Sequence, residues 1–152
     1  DRLPESLVFL KKALKIDDKC PDYWNAFAKV NALLDKYEEA LIAFQKCIEL
    51  ESTNHEFWLA YADFYYQFGQ QALAIQTLIE AEKILGDSAP VHYKLTAYLF
   101  GDNEEQLAKF YLKKALSEDF ALHYNLFAEF PAMKSLVWVK RLINKFRDKN
   151  KL

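Results

Sequence analysis

An all-α fold, a solenoid of stacked helical hairpins, is predicted by three features of the sequence. First, Trp24 and Trp58 are 34 residues apart, and the same step separates Ala40, Ala74 and Ala108. Second, the step recurs in Cys47, Ala81 and Ala115, and in Asp35, Gly69 and Asn103. A fixed period of this length is the mark of repeated helix-turn-helix units that bury their apolar faces by stacking. Third, the chain has only 3 Gly and 4 Pro, which favours helices joined by tight turns over long irregular loops.

The elements follow in order. Leu3, Leu7, Leu10, Leu14 and Ile16 give a helical stripe over Leu3 to Ile16. Ser6, Leu10 and Ala13 lie one period before Ala40, Phe44 and Cys47, so this is the second helix of a repeat that lacks its first. The chain is therefore expected to be a fragment, with more chain before Asp1 covering this stripe. Exposed Leu3, Leu7 and Leu10 would permit self-association. Pro21 and Asp22 open a helix to about Leu34 that carries Trp24, Phe27, Ala28 and Asn31, and Asp35 stops it. A second helix, from about Tyr37 to Leu50, turns Ala40, Leu41, Phe44, Cys47 and Ile48 inward. Thr53 and Glu56 have capping-box spacing before the helix of Trp58, Tyr61, Ala62 and Tyr65, which ends at Gly69. Ala74, Ile75, Leu78, Ala81 and Ile84 mark its partner. Gly86 ends that helix, and Ser88 with Pro90 starts the next.

Leu95, Thr96 and Leu99 belong to the first helix of a third hairpin, and Ala108, Leu112, Ala115 and Leu116 to its second. Asp35, Gly69 and Asn103 share a tolerance of the left-handed conformation that ends helices. Ala40, Ala74 and Ala108 are expected where paired helices cross closely. The period fades at Phe120. His123 to Phe130 forms a last first-type helix, Pro131 breaks it, and Ser135 to Arg147 forms an amphipathic helix with Leu136, Val139, Leu142, Ile143 and Phe146 on one side. A solenoid end requires such a polar-faced cap.

At 52% hydrophobic and 28% charged residues, the 152-residue chain has the profile of a folded protein rather than a disordered one. The net charge of −2 conceals an asymmetry. Residues 131–152 contain seven basic side chains and one acidic one, Asp148, so the tail is basic and the body acidic. No apolar run is long enough to span a bilayer, and no signal peptide is visible. Cys20 and Cys47 fit no metal or redox spacing. Two cysteines without a framework favour a reducing compartment, so a cytoplasmic location is expected.

These residues resemble the tetratricopeptide repeat. Its pattern is matched by Trp24, Phe27, Ala28, Ala40, Phe44 and Cys47, and again by Trp58, Tyr61, Ala62, Tyr65, Ala74, Leu78 and Ala81. In the third repeat Leu95, Ala108, Leu112 and Ala115 match, while His92 replaces the tryptophan and Thr96 the small residue. Asn31 stands in place of the usual tyrosine, and Ser52 and Phe120 in place of loop prolines. The final stretch resembles the terminal cap of some bacterial members. The resemblance implies a right-handed superhelix and one domain over residues 1–152. An incomplete repeat would occupy 3–20, full repeats 21–54, 55–88 and 89–122, and a cap 123–152.

It further implies a non-catalytic scaffold that holds a protein or peptide in a concave groove lined by the first helices, with no cofactor. Rows at the repeat step are Asn25, Leu59, Tyr93 and Phe127; Lys29, Asp63 and Ala97; and Ala32, Tyr66 and Phe100, with Asp22 and Glu56 at the entrance. Leu59, Tyr66, Tyr93, Phe100 and Phe127 are the expected anchors; the alternative is that Tyr66, Tyr93 and Phe100 pack between helices. Members that grip a carboxylate tail use lysine, arginine and asparagine in these rows. Here Lys29 replaces an asparagine, Leu59 and Asp63 add no cation, and Lys94 is alone. An apolar or aromatic peptide with some positive charge suits this surface better. The partner itself is not legible.

Other functions are weaker readings. His55, His92 and His123 fall near the starts of successive first-type helices and would line a rim, but no ligand spacing accompanies them. His92 also fits as filler for a core tryptophan position. Glu38, Glu39, Glu104 and Glu105 are helix-start carboxylates explained by the dipole. The basic tail offers contact with acidic ligands, nucleic acid or a membrane surface, although a cap alone accounts for its charge. A segment of a larger assembly protein is a further alternative.

Overall fold

The structure, a computed structural model, describes residues 2–149. Among these residues the chain is helical, with no strand, and it divides into two compact units at Gln70/Gln71. In the first unit α1 (Leu3–Ile16), α2 (Pro21–Leu33), α3 (Tyr37–Leu50) and α4 (His55–Gln67) follow in sequence. Helix α2 packs on α1 and α3, and α4 packs across both α2 and α3. The second unit comprises α5 (Gln71–Leu85), α6 (Ala89–Gly101), α7 (Glu105–Glu118), α8 (His123–Glu129) and α9 (Val137–Lys149). Short 3-10 turns at Phe120–Leu122 and Pro131–Ser135 flank α8. Helix α6 packs on α5, α7 and α8.

The period is written into the turns. Asp35, Gly69 and Asn103 have φ of 56°, 73° and 62°. At each, the next residue's N–H reaches back to the carbonyl five residues earlier: Lys36 to Asn31 at 2.9 Å, Gln70 to Tyr65 at 2.9 Å and Glu104 to Leu99 at 2.8 Å. This left-handed ending satisfies carbonyls that the helix itself leaves open, and Asp, Gly and Asn are the residues that adopt it at least cost. The helix starts differ from the sequence reading. Asn54, not Thr53, caps α4, its Oδ1 accepting from the Glu56 N–H at 3.0 Å. Ser88 precedes α6 without a side-chain capping bond.

Aromatic nitrogens repeat the step too. Trp24 Nε1 donates to the Asp18 carbonyl and Trp58 Nε1 to the Ser52 carbonyl, both at 2.7 Å. Each indole thereby ties its helix to the loop before it. His92 stands at the third such position, fully buried, with Nδ1 2.8 Å from Glu118 Oε2 and Nε2 3.2 Å from Glu82 Oε1. Tyr111 donates to the other Glu82 oxygen at 2.8 Å, and Lys114 completes the cluster. Burial raises the proton affinity of Glu82, but hydrogen bonds from Lys114 and Tyr111, with the charges of Lys114 and His92, outweigh it and hold the carboxyl below its usual range.

The cap helix lies two residues later than expected, over Val137–Lys149, because the chain after Pro131 first makes a 3-10 turn. Val139 and Ile143 are its buried residues, and the helix packs on α7. Helix α8 stops at Glu129, leaving Phe130 as its cap residue. The tail position Lys151 lies outside the described residues.

Two outcomes follow from this packing. Ala108 is fully buried on α7, which lies against α6, so Ala108→Leu is expected to lower stability by about 1–3 kcal/mol through overpacking. A thermal melt equal to the parent's would contradict the close approach. Because the folded Glu82 carboxyl binds its proton less readily than the unfolded one, its contribution is present above the unfolded carboxylate value and is lost as pH falls through the lower folded value. Glu82→Gln should lower stability at pH 7 by about 1–3 kcal/mol and should flatten the acid limb of stability against pH, measured by denaturant melts.

Candidate functional site: a cleft between α2 and α4

In the first unit a cleft of about 390 Å³ runs between α2 and α4. Lys29, Ala32 and Leu33 line it from α2; Glu56, Leu59, Ala60, Asp63, Phe64 and Gln67 line it from α4. These positions recur every three or four residues along each helix, which places them on one face. Phe44 reaches the cleft from α3. Phe64 and Phe44 are each 2% exposed, with ring centroids 5.3 Å apart. Tyr37, Phe68 and Tyr65 surround Phe64 at 5.0–5.4 Å, and Tyr61 stacks on Phe44 at 5.6 Å. Such close-packed rings form a fixed floor rather than a yielding one. Leu33 is 64% exposed at the edge. The charged lining is two carboxylates and one ammonium, so the cleft is apolar at its base and mildly acidic at its rim.

The sequence-derived residues separate into those that meet and those that do not. Lys29, Glu56, Leu59 and Asp63 share this cleft, with Ala32. Asp22 is exposed on the first turn of α2, and Tyr66 is partly exposed on the last turn of α4. Asn25 is half-buried, and its Oδ1 is covered without a hydrogen-bond partner. Tyr93 requires a correction. It is 5% exposed, and its hydroxyl donates to the Asp119 carbonyl at 2.8 Å, so it fastens α6 to the turn after α7 instead of offering a surface anchor. Phe100 is half-buried with its ring 6.2 Å from that of Trp138 on the cap helix. Phe127 lines a different cleft, between α8 and α9. Leu33, Phe44, Ala60, Phe64 and Gln67 were not among the sequence-derived set. Ala60, Phe64 and Gln67 are readable as the next row of the same α4 face.

The histidines do not form an open rim. His92 and His123 are buried and hydrogen-bonded, His123 through Nδ1 to the Phe120 carbonyl. Burial, reinforced by Asp22 and Glu51, pushes the Cys47 thiol up to about 12, which keeps it protonated and a poor nucleophile at neutral pH. Among the described residues no group of three or more His, Cys, Asp or Glu side chains is placed to hold a metal ion. Among them too, no helix is long and apolar enough to cross a membrane.

Two tetratricopeptide-repeat models match, over residues 21–54 and 43–76. Residues 21–76 thus carry tetratricopeptide repeats, and the described residues have the all-helical repeat fold of tetratricopeptide-repeat proteins, a class of helical scaffold for protein interactions that is typically non-catalytic. Among solved structures it is similar to PilF of Pseudomonas aeruginosa (TM-score 0.68, 22% identity, 97% of this chain and 68% of that one). It is also similar to a crystal structure of MamA (TM-score 0.66, 17% identity, 95% and 86%). YrrB, described as a TPR protein with an unusual peptide-binding site, aligns with a TM-score of 0.61 at 17% identity over 97% of this chain and 77% of that one. At such identities the likeness is one of fold. Comparison with curated proteins gives no sequence match.

Proposed function

We propose that the cleft between α2 and α4 holds a segment of a protein partner, with Leu59 as the apolar contact and Glu56 and Asp63 selecting a basic side chain beside it. The observation that carries this reading is the pairing of a rigid aromatic floor at Phe44 and Phe64 with a rim of two carboxylates and a single ammonium, Lys29. An apolar side chain entering the base is desolvated against rings that are already fixed, so little ordering opposes it. A lysine or arginine of the partner then meets Glu56 or Asp63 at the rim, which gives charge preference more than affinity. The peptide-binding site described for YrrB, a protein of the same fold, is consistent with this use.

Selection from a random peptide library tests the reading. Peptides enriched on the parent chain should carry an aliphatic or aromatic residue next to a lysine or arginine. Leu59→Ala combined with Asp63→Lys should weaken those peptides by at least about tenfold, equivalent to about 1.4 kcal/mol, with the helical circular dichroism preserved. Enrichment of acidic peptides, or affinity unchanged in the double variant, would place the partner elsewhere.

A further inference from the structure

We propose that the second unit carries a separate site, of opposite charge, for an acidic peptide segment in the cleft between α8 and α9. The cleft has a volume of about 650 Å³. One wall is aromatic and apolar: Tyr124 and Phe127 on α8 face it, with Ile143 of α9 contributing to the lining. Tyr124 is 66% exposed, yet its ring lies 4.0 Å from that of His123, which is in turn edge-on to Phe127 at 5.7 Å. The other wall is cationic. Lys140 and Arg147 project from α9 with Asn144 between them, and Lys134 joins them from the preceding turn. No carboxylate lines the cleft. Glu129, beside it on α8, is paired with Lys94.

Charge complementarity selects the occupant. Capping α7 uses Val139 and Ile143, and Lys140, Asn144 and Arg147 flank that buried stripe and line the cleft, where uncharged polar side chains would solvate the helix equally well. Lys140, Asn144 and Arg147 fall on one stripe, and the helical rise puts the two cations about 10 Å apart along the axis. A segment in the polyproline-II conformation, with three residues per turn and a rise of about 3.1 Å per residue, places side chains three positions apart on one side at nearly the same separation. Two carboxylates so spaced would meet Lys140 and Arg147 together, and an aromatic or aliphatic residue between them would enter against Phe127 and Ile143. A flat bilayer does not reach into such a recess. A nucleotide base would find ring faces but, apart from Asn144, few groups to read its edge. The acidic peptide uses both walls.

The proposal is independent of the α2–α4 cleft, and its test keeps the two apart. A short fluorescein-labelled peptide, with two glutamates three positions apart around a phenylalanine, is titrated with the full chain and followed by anisotropy. The parent should bind, with affinity falling as salt rises. Lys140→Glu with Arg147→Glu should weaken binding by at least about tenfold, and Tyr124→Ala should weaken it severalfold. Lys11→Glu with Lys15→Glu, which changes net charge equally on exposed α1 positions, should leave it intact, as should Leu59→Ala. The proposal is overturned by absence of peptide binding, by equal loss in both charge-reversed variants, by loss in Leu59→Ala, or by binding of anionic vesicles or single-stranded oligonucleotide in preference to the peptide.

Discussion

Close approach of paired helices over small side chains is the constraint on which this structure depends. Ala40 in α3 and Ala108 in α7 have no exposed surface, and each helix lies along its hairpin partner. At such distances the short turn between the helices must reverse the chain within three residues, which demands a left-handed residue. Asp35 and Asn103 supply it, and the backbone bonds of Lys36 and Glu104 close it. Crossing and turn are thus one device. A larger side chain at the crossing would move the helices apart and strain the turn together.

What the device produces is a repeated placement of first-helix faces. Because α4 lies across α2 and α3, the residues of α4 that face α2 cannot all be covered, and a cleft results. Its floor belongs to the core: Phe44 and Phe64 are almost fully buried, while Leu59 and Lys29 above them remain accessible. The cleft is therefore the upper side of the packing that holds the unit together. The second unit uses aromatic packing in the same manner, but His92 replaces the indole, and the bond to the preceding loop gives way to a cluster of Glu82, Glu118, Tyr111 and Lys114. A carboxylate in such a place persists because cationic and hydroxyl donors surround it.

The repeat step, the hairpins and the turn residues were legible in the sequence because they recur, and recurrence separates them from accident. The cleft was legible only in part. Lys29, Glu56, Leu59 and Asp63 were found because they sit on the repeat's exposed rows, and Phe64 was missed because a residue can be a core side chain and a cleft floor at once. Tyr93 was misplaced for a related reason. Its row faces outward where a neighbouring helix leaves space, but α6 is packed on α5, α7 and α8, and nearly every residue from Val91 to Leu99 is buried. Periodicity states which side of a helix a residue occupies, not how many neighbours that side has. The later start of the cap helix lay beyond the same reasoning, because the 3-10 turn after Pro131 has no counterpart in the repeats.

The central claim is that a partner segment contacts the first-helix face at α2 and α4 rather than the outer face of the second helices. Photo-crosslinking tests it most directly, with a benzophenone amino acid placed at Leu59 or at Ile42, which is 61% exposed on α3. A peptide with an apolar residue next to a lysine should be captured from position 59 and not from position 42. Capture from position 42 at equal or greater yield would contradict the account.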